Sequence, residues 1–326
     1  MGEVSSRPSG TVAVVIVNYN AGEMLERCLL ALSRQTRVPD RVLVVDNASS
    51  DRSVEQARPS LTTAEFILSK DNLGFAAANN LAVQRAADCD WIALLNPDAF
   101  PEPHWLEGLM TAADQFPQTA SFGSLMLAAE RHDVVDGSGD AYHISGAAWR
   151  RDHLRPLAQA VTEPGFIFAP CAAAALYRRD CYLQAGGFDE DFFCYMEDVD
   201  LGFRLRLLGY QSRYVPDAVV YHVGYGTSGK SSDFAVYHGH RNLVWTFVKN
   251  MPGALFWLLL PVHLALNVYV LSAFSWRGQG RTIWRSKRDA FLGLRRAWQK
   301  RRSIQAQRNL RTASLWPLLA KGMPRP

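Results

Sequence analysis

The stretch TVAVVIVNYN, residues 11–20, decides the fold. It is a continuous run of aliphatic, mostly β-branched residues that ends in the polar residues Asn18, Tyr19 and Asn20. An unbroken apolar run of this kind is typical of a strand buried on both faces of a parallel sheet. In open α/β sheets, ligands bind at the carboxyl ends of the strands. The stretch therefore predicts a central strand and, in Asn18 and Tyr19, one part of a binding site.

Three further apolar runs have the same design, and helical patterns separate them. The predicted strands are 41–51, 65–70 and 90–99, and the predicted helices are 22–35 and 74–87. This alternation predicts a doubly wound α/β sheet. The polar residues that fall at its strand ends are Asn18, Asp46, Asn47 and Asp98. Asn and Asp also punctuate ordinary turns, but their recurrence on successive strands favours a ligand site.

The polar residues at these ends suit a nucleotide diphosphate. The Asp46 carboxylate could accept a hydrogen bond from a pyrimidine ring N–H. Asn72 and Gly74 begin the Ala-rich helix, and a helix N-terminus favours an anion such as a diphosphate. Asn96-Pro-Asp98 ends the fourth strand, where a carboxylate beside a diphosphate would hold Mg²⁺ or Mn²⁺. The chain has no GxGxxG sequence, which argues against a dinucleotide site.

The stretch CYMEDVDLGFRLRLLGY, residues 194–210, places three acids at the start of a predicted helix over 198–208. Acids near a helix N-terminus complement its dipole, but Glu197, Asp198 and Asp200 also repel one another. Crowding of this kind raises the pKa of at least one of them and suits a general base. His222 ends a later apolar run and could complete a metal site.

One motif points elsewhere. Residues 224–231, GYGTSGKS, match the phosphate-binding pattern GxxxxGK[ST]. The motif comes late, after the nucleotide-like sheet is complete, and no Walker-B strand is apparent after it. We interpret Gly226, Ser228 and Lys230 as a lid or acceptor-binding segment. A P-loop hydrolase or kinase remains the distant alternative.

Composition divides the chain into an acidic body and a basic end. The 326 residues carry a net charge of +4. Residues 277–326 contain 14 Lys and Arg and one acid, which gives +13 and leaves −9 for the rest. Residues 250–276 contain no Lys, Arg, Asp or Glu. Five cysteines without a CxxC pair, and no apparent export signal, indicate reduced thiols in the cytosol.

Together these motifs resemble the family 2 inverting glycosyltransferases with a GT-A fold, in family order over residues 11–222. HRNLVWTFVKNMP at 240–252 is similar to the bacterial rhamnosyltransferase branch. The resemblance implies that Asp98 holds the divalent metal with His222. It also implies that Asp46 binds the nucleotide base.

The resemblance further assigns Asp198 as the catalytic base, with Glu197 beside it positioning the acceptor, and Arg204 as a structural residue. Asn96 replaces the first acid of the family's DxD motif. The implied reaction transfers a sugar, with rhamnose from dTDP-rhamnose as the first choice, to a hydroxyl of a lipid-linked or cell-surface saccharide. A UDP-sugar-dependent galactofuranosyl or hexosyl transferase is the alternative. A soluble nucleotidyltransferase and a membrane-binding scaffold are weaker rivals.

These inferences predict three parts: a flexible arm (1–10), a GT-A catalytic domain (11–232) and a helical, membrane-associating extension (233–326). A nucleotide-sugar site must be cytosolic, and a single span would put the basic end outside, against the positive-inside rule. We therefore expect a re-entrant or interfacial helix over 250–276, at the cytoplasmic face of the inner membrane. The expected partners are a dTDP- or UDP-sugar, a lipid-linked saccharide and an anionic membrane surface, and not nucleic acid.

Overall fold

The computed structural model describes residues 10–224 and 232–322, which form a mixed α/β body with helices at its C-terminal end. The strands are β1 (Val12–Asn18), β2 (Arg41–Asp46), β3 (Glu65–Leu68), β4 (Trp91–Leu95), β5 (Ala99–Pro101), β6 (Thr119–Ala128), β7 (Arg131–Gly137), β8 (Asp140–Tyr142), β9 (Ala148–Arg150), β10 (Gly165–Phe166), β11 (Ala174–Arg178) and β12 (Gln211–His222). The helices are α1 (Glu23–Leu32), α2 (Ser53–Ala57), α3 (Gly74–Arg85), α4 (Trp105–Gln115), α5 (Arg179–Gln184), α6 (Glu197–Leu208), α7 (Asp233–Asn250), α8 (Gly253–Phe274), α9 (Gly280–Leu292), α10 (Leu294–Ala306) and α11 (Thr312–Leu315).

The main sheet has ten strands, of which eight follow the order β10-β12-β6-β11-β4-β1-β2-β3. Strands β3, β2, β1 and β4 are parallel, as the alternation of strands and helices predicts. Antiparallel β11 joins β4 to β6, and β12 runs parallel to β6. The doubly wound mixed sheet is confirmed, and β6, β11 and β12, which follow the four parallel strands in the chain, complete it.

Strand β1 separates two layers of core. Val14 and Ile16 face one layer, in which α1 and α4 pack, whereas Ala13 and Val15 face the other, in which α3 and α6 pack. All four side chains are fully buried. The alternation follows from the two-residue period of a strand, and burial on both faces explains why the run contains no polar interruption before Asn18.

The C-terminal helices pack against α6 and against one another. Helix α7 lies against α6, and α9 and α10 lie against α7. Trp245 on α7 donates a hydrogen bond from Nε1 to the Ala290 carbonyl on α9 at 2.9 Å. The predicted boundary at 232/233 therefore coincides with the start of α7, which packs against α6. The division into domains stays a prediction.

Within the described ranges, one helical segment, Gly253–Leu292, is long and apolar enough to cross a membrane by length and composition. Its first helix, α8, has one buried side, formed by residues such as Leu255, Phe256 and Leu259. The exposed apolar residues of α8 are Trp257, Leu258, Val262, Leu264, Val268 and Tyr269. A short π-helical turn with Gly278 at φ 85° links α8 to α9.

Candidate active site

The first group of predicted residues meets at the carboxyl ends of β1 and β2. The parallel register pairs Asn18 with Asp46, and Asn18 Nδ2 donates to Asp46 Oδ1 at 2.8 Å. The same amide nitrogen lies 3.0 Å from Ser49 Oγ and 2.9 Å from Ser53 Oγ. Asn18 is fully buried, and its Oδ1 has no hydrogen-bond partner in the described part of the chain. Tyr19 follows with 41% of its surface exposed. This edge holds Asp46 in place and leaves one amide oxygen open.

Asn47 organises the loop before α3. Its Nδ2 donates to Asn72 Oδ1 at 2.9 Å, and its Oδ1 accepts from the Leu73 N–H at 2.7 Å. The Gly74 N–H donates to Asn72 Oδ1, and the Ala76 N–H donates to the Phe193 carbonyl. The start of α3 therefore offers fewer open N–H groups to a diphosphate than its sequence suggests.

The Asn96-Pro-Asp98 triplet leads from β4 to β5. The Asn96 N–H donates to the Ala173 carbonyl at 2.9 Å. Asn96 Oδ1 is buried and, within residues 10–224 and 232–322, has no hydrogen-bond partner. Asp98 is 6% exposed. Burial by itself would raise the pKa of Asp98, but contact with His222 lowers it below its ordinary value, so the carboxylate is ionised.

His222 reaches Asp98 because β12 pairs with β5, in a register that sets His222 opposite Ala99. His222 Nε2 lies 3.4 Å from Asp98 Oδ1, and Nδ1 lies 2.8 Å from Asp136 Oδ2. Burial disfavours the charged ring, but the two carboxylates raise the pKa of His222 to about 8.

The sequence prediction missed Asp136. It is buried and accepts from Arg150 Nη1 at 2.5 Å as well as from the His222 ring. Burial opposes its ionisation, but the His222 hydrogen bond and the Arg150 charge lower the pKa of Asp136 to about 2. The signal was present in VVDGSGD, residues 134–140, where two acids and two glycines follow an apolar pair.

These residues fit a divalent metal. A ligating histidine usually donates its second ring N–H to a carboxylate, which fixes the tautomer. Asp136 occupies that position for His222, so Nε2 is left to face Asp98. His222 Nε2 is buried and has no well-aligned hydrogen-bond partner among the described residues. Two ligands of one ion bound at about 2.1 Å lie about 3 Å apart, close to the observed 3.4 Å contact.

The predicted base, Asp198, lies in the first turn of α6, as the sequence predicts. Its Oδ2 accepts from the Ala172 N–H at 3.0 Å, and its Oδ1 accepts from the Val199 N–H at 2.8 Å. Two backbone donors therefore hold the carboxylate in one orientation. Its side chain is partly exposed, so it remains accessible from solvent.

The three acids of this turn have different surroundings. Glu197 is 5% exposed, and burial raises the pKa of Glu197 well above its usual range, with repulsion from Asp198 adding to the shift. Asp200 is fully buried and pairs with Arg204 Nη2 at 2.8 Å and Lys249 Nζ at 2.9 Å. The raised pKa that was expected in this turn is found at Glu197, with burial as its first cause and repulsion from Asp198 as its second. Asp200 has a structural ion pair.

A second cluster lies behind Asp198. The ligand atoms of Asp140, Cys171 and Asp198 are all within 4.8 Å of one another. Burial, with a contribution from the Asp198 charge, raises the pKa of Asp140 well above its usual range. The sequence prediction did not include Asp140 or Cys171, because both are distant from α6 in the sequence and no local pattern connects them to it. The predicted lid residues Gly226, Ser228 and Lys230 lie outside the described residues.

Solved structures share this architecture. The structure of GalNAc-T7 with UDP, GalNAc and Mn²⁺ superimposes with a TM-score of 0.60 and 16% identity, over 75% of this chain and 48% of that one. The mannosyltransferase PcManGT from Pyrobaculum calidifontis, solved with GDP-Man and Mn²⁺, gives a TM-score of 0.54 and 18% identity, over 94% of this chain and 88% of that one. The fold is therefore that of the GT-A glycosyltransferases.

The sequence defines the family. The family described as "Glycosyl transferase family 2" matches residues 13–183, and the chain belongs to that family. An N-acetylglucosaminyl-diphospho-decaprenol L-rhamnosyltransferase of Mycobacterium tuberculosis is 32% identical over 255 residues, which cover 69% of this chain and 80% of the relative. The O-antigen chain rhamnosyltransferase RfbN of Salmonella typhimurium is 25% identical over 217 residues, which cover 65% of this chain and 66% of the relative. The chain is thus a glycosyltransferase with rhamnosyltransferases among its relatives.

Proposed function

We propose that the protein is an inverting rhamnosyltransferase that moves rhamnose from dTDP-rhamnose to a hydroxyl of a lipid-linked saccharide. The rhamnosyltransferase relatives support the sugar. The diphospho-decaprenol in the name of the mycobacterial relative supports a lipid-linked acceptor. The Asp46 carboxylate could accept a hydrogen bond from the ring N–H of either thymine or uracil. The transfer assay therefore compares dTDP-rhamnose with UDP-sugars.

One observation carries the proposal. Two consecutive residues, Ala172 and Ala173, connect the candidate base to the candidate metal-binding triplet. The Ala172 N–H donates to Asp198, and the Ala173 carbonyl accepts from the Asn96 N–H. A carboxylate base and a diphosphate-binding edge are therefore held side by side on rigid elements, as a single displacement at a sugar carbon requires.

In the proposed mechanism, Asp198 takes the proton from the acceptor hydroxyl. The acceptor oxygen then attacks the anomeric carbon as the bond to the nucleoside diphosphate breaks, so one base suffices and the configuration inverts. The Ala172 and Val199 N–H groups keep the carboxylate aimed at the acceptor. Glu197, buried beside it, would position the acceptor.

Asp98 and His222 would hold the divalent metal, with Asp136 orienting the imidazole. A bound Mg²⁺ or Mn²⁺ would neutralise charge on the departing diphosphate. The structures of GalNAc-T7 and PcManGT were both solved with Mn²⁺, which supports a metal at this edge.

We also propose that the C-terminal helices lie on the cytoplasmic face of an anionic membrane. One side of α8 packs on the protein and the other exposes Trp257 and Tyr269. Helix α9 returns to pack on α7, where Ser286 Oγ donates to the Tyr237 carbonyl at 2.9 Å. A full span by α8 would separate α9 from α7, so this packing supports an interfacial helix.

The membrane proposal is tested by sedimentation with phosphatidylglycerol vesicles and with phosphatidylcholine vesicles. The protein should bind the anionic vesicles and should be released by salt. Trp276→Ser should weaken binding, because Trp276 is 93% exposed beside Arg277. Val38→Ser is the matched control, since Val38 is also exposed, at 67%, but lies in the catalytic body. Equal loss in both variants, or equal binding to both vesicle types, would contradict the proposal.

The transfer reaction is tested by incubating the protein with dTDP-rhamnose or a panel of UDP-sugars, using membranes as the acceptor source. Each donor is assayed with and without Mg²⁺ or Mn²⁺. We expect metal-dependent turnover of dTDP-rhamnose, and its loss in His222→Ala. Turnover of a UDP-sugar alone would replace the rhamnosyl assignment and keep the mechanism. Turnover of no donor would overturn the proposed function.

A further inference from the structure

The loop before the candidate base has an unusual backbone. Phe193, Tyr195 and Met196 have φ values of 65°, 69° and 71°, although none of them is glycine. The left-handed region costs a non-glycine residue of order 1 kcal/mol, and it persists only where surrounding contacts hold it. Met196 is also the N-cap of α6, two residues before Asp198. Whatever holds this loop therefore also fixes where the base points.

One side chain on α7, that of Asn242, makes three of the contacts that hold this loop. Asn242 is fully buried. Its Nδ2 lies 3.0 Å from the Phe192 carbonyl, 2.9 Å from the Cys194 carbonyl and 2.8 Å from the Tyr195 carbonyl. An amide nitrogen carries two hydrogens, so two bonds are shared among three carbonyl oxygens that converge on one point.

Arg241 sets the direction of this amide. Its Nε donates to Asn242 Oδ1 at 3.0 Å, so the amide oxygen faces the guanidinium and the nitrogen faces the loop. Arg241 Nη2 also donates to the Asp191 carbonyl at 3.1 Å and the Phe192 carbonyl at 2.9 Å. Arg241 and Asn242 together contact four carbonyls of the same loop, those of Asp191, Phe192, Cys194 and Tyr195, from one turn of α7.

The opposite side of the loop contacts the start of α3, where the nucleotide-sugar is expected to bind. The Phe193 carbonyl accepts from the Ala76 N–H at 3.2 Å. A Cβ on Gly74 would lie 2.5 Å from the Phe193 ring, so only glycine permits this approach. The loop is therefore held between the start of α3 and the Asn242 amide.

We propose that Asn242, oriented by Arg241, is a positioning residue that sets the geometry of Asp198 for acceptor deprotonation. This inference rests on the proposed function, in which Asp198 is the base. It assigns a role to Arg241 and Asn242 of the HRN sequence at 240–242. These residues belong to neither group of site residues predicted from the sequence, the polar strand ends and the acids of α6. Without the Asn242 donors, three convergent carbonyls would repel one another, and the strained loop would relax.

The test compares Asn242→Ala with Thr246→Val. Thr246 is a matched control, because it is fully buried one turn further along α7 and its hydroxyl has no hydrogen-bond partner in the described ranges. Active sites are counted by calorimetric titration with dTDP, and kcat is expressed per nucleotide-binding site. We expect kcat per site to fall about 10-fold to 100-fold in Asn242→Ala, with the dTDP Kd unchanged, since small misplacements cost rates of this size. Thr246→Val should match the wild-type protein.

Unchanged kcat per site in Asn242→Ala would overturn the inference. A fall in total rate that is fully explained by a smaller number of dTDP-binding sites would also overturn the inference. Arg241→Met is a second variant, for the case that Asn242→Ala does not fold. Arg241 is only partly buried, so its replacement should free the Asn242 amide to rotate without unfolding the protein. It should lower kcat per site by a smaller factor.

Hydrogen–deuterium exchange of the full chain separates this inference from the proposed function. Amides of residues 192–198 should exchange faster in Asn242→Ala than in the wild-type protein, while those of β1 and β2 stay unchanged. Unchanged exchange over 192–198 would overturn the inference even if the enzyme is active. If the wild-type protein turns over no donor, the proposed function fails, and this measurement still decides whether Asn242 holds the loop.

Discussion

The strand ends around Asp46 and the junction between α6 and α7 both bury polar groups, but they use them differently. At the strand ends, amides and hydroxyls bond to neighbours and leave the oxygens of Asn18 and Asn96 without a partner among the described residues. At the junction, the charges pair with one another, and Lys249 contacts both Asp189 and Asp200. The oxygens of Asn18 and Asn96 suit a ligand, whereas the ion network joins helices. Glu197 Oε2 and Asn250 Oδ1 at the junction also have no partner among the described residues, so the difference lies in the paired charges. Burial of polar groups alone does not distinguish a binding site from a structural link.

Asp198 also lies on α6, but we propose it as the catalytic base and not as part of the ion network. Its replacement should lower kcat more than any other substitution. Asp198→Asn keeps the size of the side chain and removes the base, so kcat should fall about 10³-fold, within the range for general-base catalysis. Steady-state transfer assays measure it. Asp217→Asn, which changes an exposed carboxylate outside the site, should leave kcat unchanged. A loss below about 10-fold would remove Asp198 from the base role.

The ion network should matter for stability. Lys249 is 2% exposed, and Lys249→Met would leave the Asp189 and Asp200 carboxylates without their shared cation. Breaking a buried ion pair on one side costs about 3–5 kcal/mol, and urea unfolding should show a loss of that size. Lys300→Met provides the comparison, since Lys300 is partly exposed and should cost less. Equal costs for the two variants would show that burial does not set the strength of this network.

Asp136 tests whether the strand ends hold a metal. Asp136→Asn should lower the affinity for Mn²⁺ about 10-fold to 100-fold, because an amide orients the His222 ring less firmly and leaves it less basic. Titration calorimetry with Mn²⁺ measures the change. Nucleotide binding without metal should stay the same, and an unchanged Mn²⁺ affinity would contradict the proposed site.

Asn47 should give the smallest effect. Asn47→Ala removes the bonds to Asn72 and Leu73, so the loop before α3 should loosen. Loss of one or two buried hydrogen bonds costs about 1–3 kcal/mol. We expect donor KM to rise about 10-fold while kcat changes little, as for a residue that affects donor binding alone. A large fall in kcat at unchanged KM would instead connect Asn47 to the chemical step.

The contrast also explains what the sequence could predict. Strands β1 to β4 and helix α6 follow from local periodicity, and the polar residues at their ends are adjacent in the chain to the elements that place them. Asn18 and Asp46 meet because parallel register aligns the ends of neighbouring strands. Such short-range rules are sufficient for much of the parallel half of the sheet.

The remaining contacts depend on long-range packing. Asp136 reaches His222 across 86 residues, and Asn242 reaches Cys194 across 48. No local pattern specifies these pairs, because they form only when β7 pairs with β6 and α7 packs against α6. The sequence therefore named the candidate metal-ligating residues and the candidate base, which stay predictions, but not the residues that contact and orient them.

The most direct test of the account is the anomeric configuration of the transferred sugar. The purified protein, a divalent metal, dTDP-rhamnose and a lipid-linked acceptor would be incubated together, and the product analysed by NMR. A single displacement with Asp198 as the only base predicts a configuration opposite to that of the donor. A product that retains the donor configuration would require a second displacement and would contradict the proposed mechanism.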